Sequence, residues 1–505
     1  MPVLTTRRQL LKLTPALAGL VLLQACGQAA APTTAPAKPA EPTKPAAEPT
    51  KPAAAAPTNT PAAAAAAAAK PTEAPKPAEA TKPAAEATKP AAAATTAPAA
   101  AKPATGAAQE GTLRLLTTHG AVQQPVIKAS LDRFRQKYPK ITVQHEDITE
   151  GYYDKLNTQV ASGTLPDVVN LRTFDMYDWF RKKSLLDLTP YINSDQEFDV
   201  KKIVRPILES CYQEGKYWGM PYDASVVVLF YNKDMFDKAG VKYPDASWTW
   251  DKVTEAAKAM TGGSGATATF GLASPPPMNS WLFEPFLHQA GARFANKERT
   301  SFMTDTPEAV NAIQWVTDLV LKHKVAPTPE QGTAINLFNV GRGGMVFNGQ
   351  WNIPGFREAL KFNWDISPLP AGPKGKAQIT HGGTYIGYSK TKVPDLSWTM
   401  IKWIAGPDWQ RNVYGLSGYS VPSLSTEANA FVEPSQQGKP PKNAEIVLSE
   451  LQAAETGELF PDYWKALQAW IDEANLVLLG KKEPAQAGKD AKQKADGIIK
   501  EALSG

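Results

Sequence analysis

Residues 27 to 108 contain no Val, Leu, Ile, Met, Phe, Tyr or Trp. A segment without large apolar groups buries too little surface to offset the cost of ordering its backbone, and recurrent prolines favour extended polyproline II over helix. The stretch is irregular Ala-Lys-Pro-Ala and Glu-Pro-Thr-Lys-Pro. It reads as a disordered tether spanning residues 26–110, so any fold must come from the residues after it. At roughly 3 Å per residue where extended, such a tether reaches well over ~100 Å. It also distorts the charge balance. Of the formal net charge of +5, Arg7, Arg8 and Lys12 supply three, and the eight Lys and five Glu of residues 27–108 supply three more, which leaves −1 for the remainder. The excess of base is therefore no sign of nucleic-acid binding, and no basic patch with interleaved aromatics is visible. All thirteen Trp lie between Trp179 and Trp470. A near-neutral, Trp-rich region suits a neutral polar ligand.

Residues 1–25 have the parts of an export signal: a basic start, an apolar run from Ala16 to Leu23 and small Ala25. The run is shorter than the roughly 20 apolar residues of a stable membrane span. It ends in Leu23-Gln24-Ala25-Cys26, which resembles a bacterial lipobox and implies lipidation of Cys26, so that the anchor is lipid and not helix. Thr6-Arg7-Arg8-Gln9-Leu10-Leu11-Lys12 resembles a twin-arginine signal with Leu10 where Phe is usual; an ordinary Sec-type signal is the alternative. Cys211 is then left without a partner for a disulfide, and the fold must hold by burial. About 395 residues from Gly111 onward suffice for two lobes.

Thr112–Thr117 reads as a buried strand, and Ile127, Leu131, Phe134 and Tyr138 recur at helical spacing before Pro139. A strand begins at Ile141, a helix spans Tyr152–Ala161 and a third strand Asp167–Leu171. The alternation predicts a largely parallel α/β sheet with its site at the carboxyl ends of the strands, which carry His119, Asp147 and Asn170 to Arg172. Helices are expected over Trp248–Met260, Ala309–His323, Leu396–Ile404 and Phe460–Leu479, strands at Phe270–Leu272 and Gly344–Gly349, and a polar outer helix over Pro484–Leu503.

Several segments resemble, in order and spacing, the family 1 extracellular solute-binding proteins of the maltodextrin-binding type. They are Thr164-Leu165-Pro166-Asp167-Val168-Val169, Tyr217 to Asp223, Leu229 to Phe236, Met345 to Trp351, Trp364 to Pro370 and His381-Gly382-Gly383-Thr384. The resemblance covers essentially all of residues 111–505. It implies an α/β, two-lobed periplasmic-binding-protein-like fold of type II, with two parallel or mixed sheets, flanking helices and hinge strands. The first lobe would be 111–225 plus 384–432 and the second 228–380 plus 442–505. Crossings would fall at Val226–Phe230, near Thr384–Ser389 and near Val432–Pro441. The resemblance further implies a non-enzymatic, monomeric, lipid-anchored protein on the outer face of the membrane, which closes on a carbohydrate and delivers it to an ABC permease. No cofactor, metal or nucleic acid is expected.

Sugar rings present apolar C–H faces and a hydroxyl rim, so a sugar site needs flat aromatics together with carboxylates or amides. The resemblance places stacking aromatics at Trp351 and Trp281, and Trp464 begins a helix at the cleft edge. Asn348 precedes the Trp351 turn. Tyr222 and Asp223 lie at the first crossing, where the carboxylate would accept hydroxyl hydrogen bonds. His119 and Arg172 follow strands and would donate to ligand oxygens, and Gly383 would bring its N–H close to the ligand. Packing or loop roles are the alternative for each, and the Tyr152-Tyr153 pair reads as packing and not as metal capture. Two rivals stay open. The same fold also carries polyamines or phosphorylated polyols. A secreted polysaccharide-cleaving lipoprotein would need two carboxylates roughly 5 to 10 Å apart; zinc-helix, phosphate-loop and nucleophile-elbow motifs are missing from the sequence.

Overall fold

A computed structural model describes residues 109–119, 123–329, 331 and 334–504, the side chains of 334–336 excepted. The export signal, Cys26 and most of the tether lie outside the described residues.

The first sheet begins as the alternation predicted. Strand Gly111–Thr117 buries Leu113, Leu115 and Leu116, and helix Gln124–Lys137 covers it with Ile127, Leu131 and Phe134. That helix opens with Pro125, whose missing N–H costs nothing in a first turn, and Arg135 and Lys137 complement its carboxyl end. Strand Ile141–Asp147 then pairs parallel with the first, Gly111 opposite Ile141. After helix Tyr152–Ser162, strand Val168–Arg172 lies parallel on the other side of the first strand. Two antiparallel strands from later in the chain complete the sheet: Gly383–Gly387 against Val168–Arg172, and Met220–Pro221 against Gly383–Gly387.

The second sheet is mixed, in the order Trp364–Ser367, Val227–Asn232, Gly343–Gly349, Phe270–Leu272. Val227–Asn232 is buried at all six positions, which is why its sequence runs without polar alternation from Val227 to Tyr231. Only the Gly343–Gly349 and Phe270–Leu272 pair runs parallel. Helix Trp250–Met260, capped by the Thr249 hydroxyl, packs straight onto Gly271, where a Cβ would stand 2.1 Å from the Ala257 carbonyl oxygen. Each sheet thus carries its own core. One cluster includes Leu115, Phe134, Trp398 and Trp409, another Phe283, Phe294, Trp470 and Ile499.

Two connections join the sheets side by side, with Ser225 bridged antiparallel to His381. Both differ from expectation: Val227–Asn232 lies within the second sheet and Gly383–Gly387 within the first, so the connections fall over residues 225–226 and 379–382, not over the expected Val226–Phe230 and Thr384–Ser389. Helix Pro307–Thr317 ends earlier than expected, in a π-turn over Asp318–Lys322. The last helix, Pro484–Ser504, buries a stripe of Ala487, Gly488, Ala491, Ala495 and Ile499, largely against helix Tyr463–Leu478. Among the described residues, no helix is long and apolar enough to cross a membrane.

Candidate functional site

Several of the candidate residues lie at or near the connections between the two sheets. Strand Gly343–Gly349 ends at Asn348 and Gly349, and the next turn, Gln350–Asn352, carries Trp351. Gln350 pins that turn to the first crossing: its Oε1 accepts from the Val226 N–H (2.8 Å) and its Nε2 donates to the Ser225 hydroxyl (3.0 Å). Asn348 turns its Oδ1 onto the following amide, 2.8 Å from Gly349 N, a local turn bond. Trp281 opens a short turn capped by Ser280. The Trp281 and Trp351 rings stack 5.7 Å apart at 29°, and both are half-buried.

Trp464 stands in the first turn of helix Tyr463–Leu478. Its indole N–H donates to Asp175 (2.9 Å), and the Arg172 guanidinium lies 4.2 Å from its ring centroid. The other face of the guanidinium covers Tyr153 at 3.6 Å, and its Nε donates to Asp175 at 3.2 Å. Arg172 is therefore sandwiched between two rings and tied to a carboxylate. Cation–π contacts and one charge-assisted hydrogen bond through Nε hold it in this position. Burial raises the Asp175 carboxyl above its ordinary range, opposed by Arg172 and by the Trp464 N–H.

A second cluster lies at the crossing. The Tyr222 ring stacks on Tyr414 at 4.5 Å and 18°, and the Tyr414 hydroxyl is 2.5 Å from His119 Nε2. His119 is held through its backbone N–H, which donates to Asp147 Oδ1 (3.1 Å); the same oxygen accepts from the Thr117 hydroxyl (2.6 Å). Its Nδ1 is buried and has no hydrogen-bond partner among the described residues. Asp223 is buried, and its Oδ1 accepts from the Gly383 N–H at 2.6 Å. Burial pushes its carboxyl up to about 6, against the pull of the Gly383 amide and the Ser420 hydroxyl. The expected role of Gly383 as a direct ligand donor is thus corrected. Its N–H is given to Asp223, and its lack of a side chain makes room for Tyr222, whose hydroxyl would stand 1.8 Å from a Cβ.

Phe174, His381 and Tyr414 were not singled out from sequence, although they link the candidates. Phe174 lies two residues past Arg172, at the strand end where the site of an α/β sheet is expected, and that position was the available signal. His381 contacts Phe174 (3.8 Å between centroids) and Trp281 (5.3 Å), and its Nε2 lies 3.1 Å from Glu284 Oε2. Behind it, Glu284, His288 and Glu458 converge, with ligand atoms within 4.8 Å of one another. That geometry is already occupied by protein donors. The Phe294 and Ala295 amides donate to Glu458, the Glu458 amide donates to Glu284, and an Arg293 nitrogen lies 3.2 Å from His288 Nε2. The pair Tyr152 and Tyr153 packs as expected, the Tyr152 hydroxyl donating to the Asn170 carbonyl at 2.6 Å.

The sequence pattern of a family described as bacterial extracellular solute-binding protein matches residues 117–411, more than half of the chain. A putative binding protein of Brucella abortus (strain 2308) is 25% identical over 411 residues, covering 78% of this chain and 95% of the relative. An arabinooligosaccharide-binding protein of Bacillus subtilis (strain 168) is 24% identical over 285 residues, 54% of this chain and 63% of the relative. Among solved structures, an ABC substrate-binding protein from Listeria monocytogenes in complex with cycloalternan superposes with a TM-score of 0.70 at 26% identity, covering 78% of this chain and 100% of that one. The α/β fold with its two facing lobes is the one these proteins share, and that family is made of transporter binding proteins, not enzymes. The chain belongs to the bacterial extracellular solute-binding proteins.

Proposed function

We propose that this protein captures an oligosaccharide between its two lobes and hands it, chemically unaltered, to an ABC permease. The observation that carries this reading is the half-buried Trp281–Trp351 pair, with Trp351 on the turn that Gln350 ties to Ser225 and Val226, two and three residues after the buried Asp223 carboxylate. Flat indoles match the apolar C–H faces of sugar rings, and a carboxylate matches a hydroxyl rim. The ligands for which similar proteins are named, an arabinooligosaccharide and cycloalternan, belong to the same chemical class. Trp281 and Trp351 are the stacking residues in this reading, with Tyr222, Asp223, Asn348 and His119 around the polar rim. Arg172 and Trp464 position the lobes. The lobes are 111–225 with 384–432, and 228–380 with 442–505, each moving as a body about the crossings.

Cys26 carries the lipid and the Ala/Pro tether holds the lobes clear of the outer face of the membrane. Two tests separate these statements. Calorimetry of the purified protein with panels of arabino-, malto- and cyclic glucooligosaccharides should give saturable binding with the sugar recovered intact. No binding by any member of the panel, or recovery of cleaved sugar, refutes capture of this solute class. Cys26→Ser should release the protein into the medium; retention at the membrane refutes the lipid anchor.

A further inference from the structure

Phe174 belongs by chain to the first lobe, in the short turn Thr173–Asp175 after strand Val168–Arg172, yet it packs in the core of the second. In that cluster of buried residues it is the one described member that precedes Val227. Four rings enclose it: His381 at 3.8 Å, Tyr463 at 4.8 Å, Trp281 at 4.9 Å and Trp464 at 5.3 Å, leaving it 4% exposed. Rings at these separations are in contact, so no solute fits between them. The seat extends along the chain. Arg172 and Asp175 hold Trp464 on one side, Asp178 Oδ1 accepts the Asp462 N–H at 2.9 Å on the other, and Arg181 donates to the Ala502 carbonyl. Asp462 has a left-handed backbone (φ 47°), a conformation that Asp tolerates better than most residues, which directs its amide at Asp178.

We propose that Phe174 is the clasp residue of this protein, positioning the first lobe on the second by protein–protein contact and not through the solute. An apolar ring that exchanges water for an aromatic socket on closure favours the closed form by itself, so lobe closure has a driving force before any solute binds. Solute binding then selects a state already populated and adds only the difference. The inference rests on closure of two lobes, as the proposed function does, but not on the solute being a sugar.

The test uses the full chain carrying Asp178→Cys and Asp462→Cys, treated with a short bifunctional thiol reagent in the absence of any sugar, the linked peptides being identified by mass spectrometry. Native Cys211 is fully buried and does not compete, and Cys26 is replaced by Ser in every variant. The pair should link efficiently. Adding Phe174→Ala should lower the yield by about tenfold or more, as loss of a packed aromatic anchor requires. Phe174→Leu, which keeps apolar bulk, should lower it less while leaving the circular-dichroism melt in place. Failure of the parent pair to link without solute, or equal linking with Phe174→Ala, overturns the clasp. Because no sugar is present, an error about the solute leaves this result standing.

Discussion

Glu284 Oε2 lies 3.1 Å from His381 Nε2, both side chains are withdrawn from water, and the two residues belong to different layers of the molecule, a helix of the second lobe and the crossing between lobes. Burial, reinforced by the charge of Glu458, pushes the Glu284 carboxyl up to about 8, and burial pushes the His381 ring down to about 3. The pair is therefore held close to neutral across the intermediate range, one proton shared between an acid and a base that are both costly to ionise there.

Because the Glu284 pKa is raised on folding, its contribution to stability is complete below about 4.5 and is lost as pH rises through about 8. Glu284→Gln removes the ionisation and keeps the shape. Its stability relative to the parent should rise by on the order of 4 kcal/mol between pH 5 and pH 9. Denaturant melts of both proteins at the two pH values check this; a constant difference would refute it.

His381 works in the opposite sense. Its depressed pKa means that the unfolded chain takes up a proton below about 6.5 while the folded one does not until about 3, so stability from this group falls as pH drops through that window. His381→Gln should lose less stability between pH 7 and pH 4 than the parent does, measured by the same melts. An equal loss would place the acid sensitivity elsewhere.

In the proposed function Asp223 bears on solute. With its carboxyl raised to about 6, it becomes a full acceptor for sugar hydroxyls only above that value. Affinity for a bound oligosaccharide should weaken as pH falls from 7.5 to 5, and Asp223→Asn should remove most of that dependence at a cost of about 1–3 kcal/mol in binding at pH 7.5. Calorimetry at both pH values decides; an unchanged pH profile in Asp223→Asn excludes this carboxylate.

Trp351→Ala should weaken binding by roughly 1–3 kcal/mol, because it removes one ring of the Trp281–Trp351 pair proposed to meet the sugar. Unchanged affinity by calorimetry removes Trp351 from the site.

Gly383→Ala should destabilise the fold by about 1–3 kcal/mol, since the new Cβ would fall 1.8 Å from the Tyr222 hydroxyl and 2.0 Å from its ring carbon. A chemical-denaturation midpoint equal to that of the parent would show that Tyr222 moves aside freely.

What the sequence by itself determined is local. Ile127, Leu131 and Phe134 at helical spacing specify the first helix, the apolar run within Thr112–Thr117 specifies the first strand, and Gly344–Gly349 reads as a buried strand ending in a turn. Side-chain period and turn chemistry act over a few residues and are read directly. Only the tertiary structure decided that Arg172 serves Trp464 and Tyr153, that the Gly383 amide serves Asp223, and that Phe174 fills a socket in the other lobe. Those partners lie as far apart in sequence as Gly383 from Asp223, 160 residues, or Trp464 from Asp175, 289 residues. Their meeting depends on how two separately cored sheets come together. No local preference encodes that, because the burial and hydrogen bonds that favour it exist only once both lobes have formed.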